Sequence, residues 1–190
     1  YIAHCRQGVN NPSDARRINQ LFLNNGDGTF TQDITNASGL RISAQSWTAD
    51  FGDIDNDGDF DCFITNHDVS SQLLENDGTG HFTDITASAG LYNIITGLPI
   101  QGIFRDFDND GFVDILVAGT QQYLFHNNGN KTFSSLPAVF DANFMVVSFP
   151  CMPPEIHTVM CSSHMTMADY CARDEESRFR QVIRNITRPW

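Results

Sequence analysis

Basic residues are scarce: 11 Lys and Arg stand against 23 Asp and Glu, for a net charge of −12. No basic stripe is present, which argues against nucleic acid as a partner. No apolar run reaches the ~18 residues that a helix needs to cross a bilayer. Neither G-x-S-x-G nor H-E-x-x-H occurs, so the nucleophile elbow and the zinc-protease helix are excluded and no enzyme activity is expected. His67 and His126 read as surface or packed histidines rather than general bases. The five cysteines include no C-x₂-C pair. A zinc site from Cys151, Cys161 and Cys171 with His157 and His164 therefore has poor spacing, and disulfide pairing cannot be read from sequence. Cys62 reads as a small buried hydrophobe, and Cys5 lies near the start of a long loop.

The acidity is uneven. Residues 1–140 carry 17 acids and 6 bases, and residues 141–190 carry 6 acids and 5 bases. Nine acids fall in two short segments, Asp53-Ile-Asp-Asn-Asp-Gly-Asp-Phe-Asp61 and Asp106-Phe-Asp-Asn-Asp-Gly-Phe-Val-Asp114. Both follow D-x-D-x-D-G-x-x-D, and they lie 53 residues apart. Carboxylates at alternate positions around a glycine turn form an oxygen cage for a hard cation, and Ca²⁺ is the ion expected. One ion per loop is expected. Asp53, Asp55, Asp57, Asp61 and the Asp59 carbonyl hold the first; Asp106, Asp108, Asp110, Asp114 and the Phe112 carbonyl hold the second. Position seven is Asp in one loop and Phe in the other, as expected where only the backbone oxygen binds. An EF-hand would need a bidentate Glu at position twelve. Here Ile64 and Val117 occupy it, and Cys62–Thr65 and Ile115–Ala118 read as short buried strands.

A second element repeats in phase. Leu21–Phe30, Leu73–Phe82 and Leu124–Phe133 each place Asn/Asp-Gly between apolar residues, a hairpin signal; the glycines at 26, 78 and 129 set periods of 52 and 51. An approach strand, the metal loop, a second strand and the hairpin give four strands in roughly 50 residues, the size of a β-propeller blade. Such a blade cannot bury both faces alone and must stack on neighbours.

The metal loop and phased hairpin together resemble the FG-GAP/VCBS repeat family, found in the propellers of integrin α subunits and in bacterial and algal surface proteins. The wording Gly-Asp-Ile-Asp-Asn-Asp-Gly-Asp-Phe-Asp followed by Asn-Asn-Gly-Asp-Gly-Thr-Phe is similar to the branch that includes cartilage acidic protein. The resemblance covers about residues 1–140. It departs at Arg105, which stands where the first copy has Gly52. It implies an all-β fold, a partial β-propeller of four-stranded antiparallel blades: a partial blade over 1–44, then blades over 45–97 and 98–140. It also implies Ca²⁺-stabilised adhesion, recognition or scaffolding rather than catalysis. The alternatives are the non-catalytic propeller of a secreted polysaccharide-active enzyme, or a subunit of a self-assembling surface filament.

Tyr1–His4 aligns with the strand that follows a metal loop, and no initiator Met or signal peptide is seen. The expectation is a piece of a larger protein, with a short protein that shares blades with neighbouring copies as the alternative. Covering elements then come from other blades or copies, and a protein or carbohydrate ligand is expected at the surface. Sequons at Asn36, Asn130 and Asn185, and the fit of weak calcium modules to millimolar extracellular Ca²⁺, point to an extracellular or cell-surface site. Beyond about residue 143 the pattern stops. A third loop due near residue 158 is missing, residues 166–184 have helical periodicity, and 141–190 reads as a capping or linker tail. Its rise in Cys, Met and His admits a second reading, sequence foreign to the family, as after a shifted reading frame.

Overall fold

A computed structural model describes residues 1–6, 8–136, 144–148 and 158–162 of the chain. It is all-β apart from one turn of 3-10 helix at Ala15–Arg17. Strands β1 (Phe22–Asn24) and β2 (Phe30–Gln32) form a hairpin. A four-stranded antiparallel sheet follows, in the order β3 (Ser46–Gly52), β4 (Asp61–Asn66), β5 (Gln72–Asn76), β6 (Phe82–Asp84). A second sheet repeats it with β7 (Pro99–Arg105), β8 (Asp114–Gly119), β9 (Tyr123–Asn127) and β10 (Phe133–Ser135). Strands β11 (Phe144–Ser148) and β12 (Thr158–Ser162) pair with each other. Simple up-and-down order is what short hairpin connections permit. Among the described residues the sheets do not close into a barrel, as expected of part of a propeller.

The first hairpin belongs to a less complete sheet: Ile2 bridges Gln20 in antiparallel sense, with N–O distances of 2.8 and 3.0 Å. The N-terminal strand thus stands beside β1's approach, where the alignment of Tyr1–His4 places it.

Burial explains why these strands read as continuous apolar runs. Every residue of β4 and of β8 is buried. Alternation sends Phe63 to one face of β4, where it joins Ile54, Ile115, Val117 and Phe125 between the two sheets. Cys62 and Ile64 point to the other face and pack with Leu40, Leu74, Tyr1 and Leu21. Leu116 and Ala118 of β8 meet Phe107 and Leu124 on the far side of the second sheet. Each large side chain so buried contributes about 1.5–3 kcal/mol. Stacking, not any single sheet, makes the core.

The sheets approach closely through β3 and β7. Gly102 N–H donates to Thr48 Oγ1 at 3.2 Å, and Phe104 N–H donates to Asp50 at 2.7 Å. A Cβ on Gly102 would lie 2.5 Å from the Phe63 ring, and one on Gly52 2.9 Å from Phe104. This accounts for the departure at position 105. Gly52 lies under a phenylalanine of the next sheet, whereas Arg105 is exposed and has room for a long side chain.

Near residue 158, where spacing called for a third metal loop, the chain forms β12. The expected helix over 166–184, the sequon at Asn185, and Cys151, Cys171, His157 and His164 lie outside the described residues.

Candidate metal centre

Each metal loop joins the first and second strands of its sheet. The first links β3 to β4 and the second links β7 to β8. Two residues per loop take positive φ: Asn56 (62°) and Gly58 (96°) in the first, Asn109 (61°) and Gly111 (97°) in the second. Glycine at position six was legible as a turn requirement. The Asn at position four was not, although Asn is among the few side chains that tolerate the left-handed region.

These turns wrap backbone N–H groups around the first aspartate. Asp53 accepts from Asp57 N–H (3.2 Å) and Gly58 N–H (3.1 Å). Asp106 accepts from Asn109 N–H (2.6 Å) and Gly111 N–H (3.1 Å). The third acid of each loop braces it in the same way: Asp57 accepts from Asp59 N–H at 3.1 Å, and Asp110 accepts from Phe112 N–H at 2.9 Å. The result gathers Asp53, Asp55 and Asp57, with one oxygen from each within 4.8 Å of the others. In the second loop Asp106, Asp108 and Asp114 meet the same limit, and so do Asp108, Asp110 and His126. These clusters can hold a metal ion.

The ninth-position aspartates have a further role that the spacing did not reveal. Both are buried, and each fastens its loop to the third strand. Asp61 accepts from Ile54 N–H (3.0 Å) and Asn76 N–H (2.8 Å). Asp114 accepts from Phe107 N–H (3.0 Å) and Asn127 N–H (2.9 Å). Asp61 is not among the three gathered carboxylates of its loop, whereas Asp114 is. Burial pushes the Asp61 carboxyl up to about 6, with Asp55 and Asp59 adding to the rise against the two N–H donors. Burial likewise raises Asp114, with Asp108 adding and His126 opposing.

Position seven turns its side chain toward the hairpin of its own sheet. A Cβ on Gly78 would lie 3.2 Å from Asp59 Oδ2, and one on Gly129 would lie 3.0 Å from the Phe112 ring. Asp59 Oδ1 is buried with no hydrogen-bond partner. Desolvation raises its pKa, and so do the charges of Asp57, Asp55 and Asp53. An unpaired oxygen thus stands beside three clustered carboxylates, of which Asp55 is met by the Lys131 ammonium. A hard divalent cation among these oxygens reverses that repulsion, so the residues fit such an ion.

The surroundings of the two loops differ. Glu75 of β5 and His126 of β9 occupy matching positions in their hairpins. His126 Nδ1 lies 3.2 Å from Asp108 and 3.4 Å from Asp114. His67 packs elsewhere: it stacks on Trp47 at 4.8 Å and meets the Pro99 carbonyl at 2.9 Å. The sheets are also tied at the loops. Asn127 Nδ2 donates to the Ile54 carbonyl at 2.8 Å, and Asn56 Nδ2 donates to the Gly111 carbonyl at 3.0 Å.

Of the sequons, Asn36 and Asn130 are exposed on turns. Asn130 sits at the β9–β10 hairpin tip, where its Oδ1 accepts from Thr132 N–H (3.1 Å) and Thr132 Oγ1–H (2.6 Å).

A comparison with curated proteins finds no match. The FG-GAP-like repeat family matches residues 8–64 and again 53–117. The two matches together span residues 8–117, which is 110 of 190 residues, and they overlap over 53–64, which includes the whole first metal loop. With its repeated sheets and repeated acidic loops, the chain belongs to the FG-GAP-like repeat family.

Proposed function

We propose that this chain is a calcium-binding adhesion, recognition or scaffold module that works outside the cell and is not itself an enzyme. The observation that carries the reading is the recurrence of one carboxylate cage in two stacked sheets, each with an aspartate trio within 4.8 Å. Asp53, Asp55 and Asp57, with Asp59 and Asp61 beside them, would hold one Ca²⁺; Asp106, Asp108, Asp110 and Asp114 would hold the other, with the Asp59 and Phe112 carbonyls completing the sets. Bound calcium supplies positive charge that neutralises the clustered carboxylates. The chain's own residues do the rest: Asp61 and Asp114 hold each loop against its third strand, and Asn127 and Asn56 hold one loop to the next sheet.

An extracellular setting is supported by the exposed Asn36 and Asn130 sequons, where glycans would be tolerated. Among the described residues no helix is long and apolar enough to cross a membrane. Exposed Leu23, Phe30 and Ile34 on and beside the β1–β2 hairpin support covering by further blades or by a neighbouring copy. The ligand class that fits such a module is protein or carbohydrate.

The test immobilises the full chain and probes it with extracellular-matrix proteins and a glycan array, in calcium and in EDTA. The reading expects a ligand retained in calcium and released in EDTA. Equal retention in both buffers contradicts a calcium-dependent module, and turnover of a polysaccharide probe contradicts the non-catalytic assignment.

A further inference from the structure

Lys131 is the only lysine in the chain. It occupies the hairpin position that Gly28 and Gly80 fill in the other two repeats, and all three residues have positive φ: 87° and 85° for the glycines, 65° for Lys131. A long side chain in the left-handed region is uncommon and costs energy where glycine costs none. Something must offset it, and the side chain shows what. From the β9–β10 hairpin it crosses to the other sheet, where Nζ lies 2.6 Å from Asp55 Oδ2 and also pairs with Glu75. Asp55 is a member of the first carboxylate trio. Its side chain is 13% exposed, so the pair is partly shielded from water.

Asp55 keeps a second oxygen, but an ammonium 2.6 Å from Oδ2 draws on the same negative charge that a divalent cation would use. The ammonium and the ion repel, and both draw on the same carboxylates. At the second loop the position that matches Glu75 is His126, which contacts Asp108 and Asp114. We propose that Lys131 is a built-in competitor for the cation of the first loop, holding Asp55 and Glu75 across the sheet boundary so that an incoming divalent ion must share Asp55 with it or displace it. This rests on the calcium reading above and adds a regulator to it. The competition has two linked consequences. Lys131 weakens the first loop's affinity, and by reciprocity an ion in that loop weakens the tie between hairpin and loop. Calcium in the first loop thus acts on the boundary between the two four-stranded sheets.

The experiment is a calcium chloride titration of the full chain followed by ¹H–¹⁵N NMR. The amides of Gly58 and Gly111 each donate to the first aspartate of their own loop, so they report the two sites separately. Wild type is compared with Lys131→Met, which removes the charge, and Lys131→Gly, which restores the residue of the other repeats. Both variants are expected to lower the Kd read at Gly58 about tenfold, as for one unit charge removed beside a divalent ion in a half-exposed site. The Kd at Gly111 is expected to stay within about twofold. Unchanged binding at Gly58, with Gly111 titrating normally, overturns the competition. A gain in the glycine variant alone assigns the effect to the backbone and overturns it equally. If neither glycine responds to calcium in any variant, the calcium reading itself fails.

Discussion

Strand lengths of seven, six, five and three residues recur in β3–β6 and in β7–β10, and the same register shift follows the first residue of β3 and of β7. The loops between their first and second strands share positive-φ residues at positions four and six and the same ninth-position anchor. Their rims differ. The first holds five aspartates, with Asp55 and the nearby Glu75 paired to Lys131, while the second holds four, with Asp108 and Asp114 in contact with His126. The residues that shape the loop backbone are repeated, and the residues that tune its charge come from the third strand and from the next sheet's hairpin. A propeller repeat can therefore keep one cage and vary its affinity without disturbing the cage's own backbone.

Chelation acts on both sheets and is the largest expected effect. At free calcium one hundred times Kd, each occupied site contributes about 2.7 kcal/mol. That corresponds to roughly 5–10 °C in Tm per site for a chain of this size. Differential scanning calorimetry in EDTA, then with calcium restored, measures it. A Tm unchanged by EDTA would mean that the loops are metal-free turns.

The next contrast separates the sheets. Asp55→Ala is expected to abolish calcium binding at the first loop and leave the second occupied, and Asp108→Ala to do the reverse, each with about half the chelation effect on Tm. Asp55→Ala also removes a partner of Lys131 across the sheet boundary, whereas Asp108→Ala removes a contact of His126 within its own sheet, so in EDTA Asp55→Ala is expected to destabilise the chain more. Equal losses in EDTA would show that the Lys131 contact contributes nothing to the sheet boundary.

Position 52 against position 105 tests the stacking. Gly52→Val inserts methyl groups against Phe104 and is expected to cost about 1–3 kcal/mol in urea unfolding. Arg105→Val, at the matching but exposed position, adds no such clash and is expected to cost less than Gly52→Val. Comparable costs would mean that the two sheet faces are equally covered.

The smallest change is His126→Glu, which gives the second loop the acid of the first without the lysine. Calcium affinity at Gly111 is expected to rise severalfold with little effect on Tm. A fall in affinity would show that the imidazole is itself a favourable partner of the ion.

Much of this frame was legible in the sequence. The Asp-x-Asp-x-Asp-Gly ladder, the Asn/Asp-Gly hairpins and the runs Cys62–Thr65 and Ile115–Ala118 carry local signals, because turn chemistry and strand burial depend on near neighbours. The family match over 8–64 and 53–117 agrees with the resemblance drawn from those motifs. What stayed hidden is set by tertiary contact. Lys131 and Asp55 are 76 positions apart, and nothing local to either marks the pair. The one available cue was a lysine in a glycine's place. His126 read as an ordinary histidine because its partners lie in another loop. Asp61 was legible as a ligand position, but its hydrogen bond from Asn76 N–H follows from how β5 pairs with β4. Gly52 looked like a family signature, and its physical reason, the Phe104 ring, belongs to the next sheet.

The central claim is that both loops are calcium sites of one stacked array. Isothermal titration of the full chain with calcium, after exhaustive chelation, tests it most directly. The account predicts two ions per chain, falling to one in Asp55→Ala and to one in Asp108→Ala. A wild-type stoichiometry of zero, or one that neither substitution changes, would contradict it.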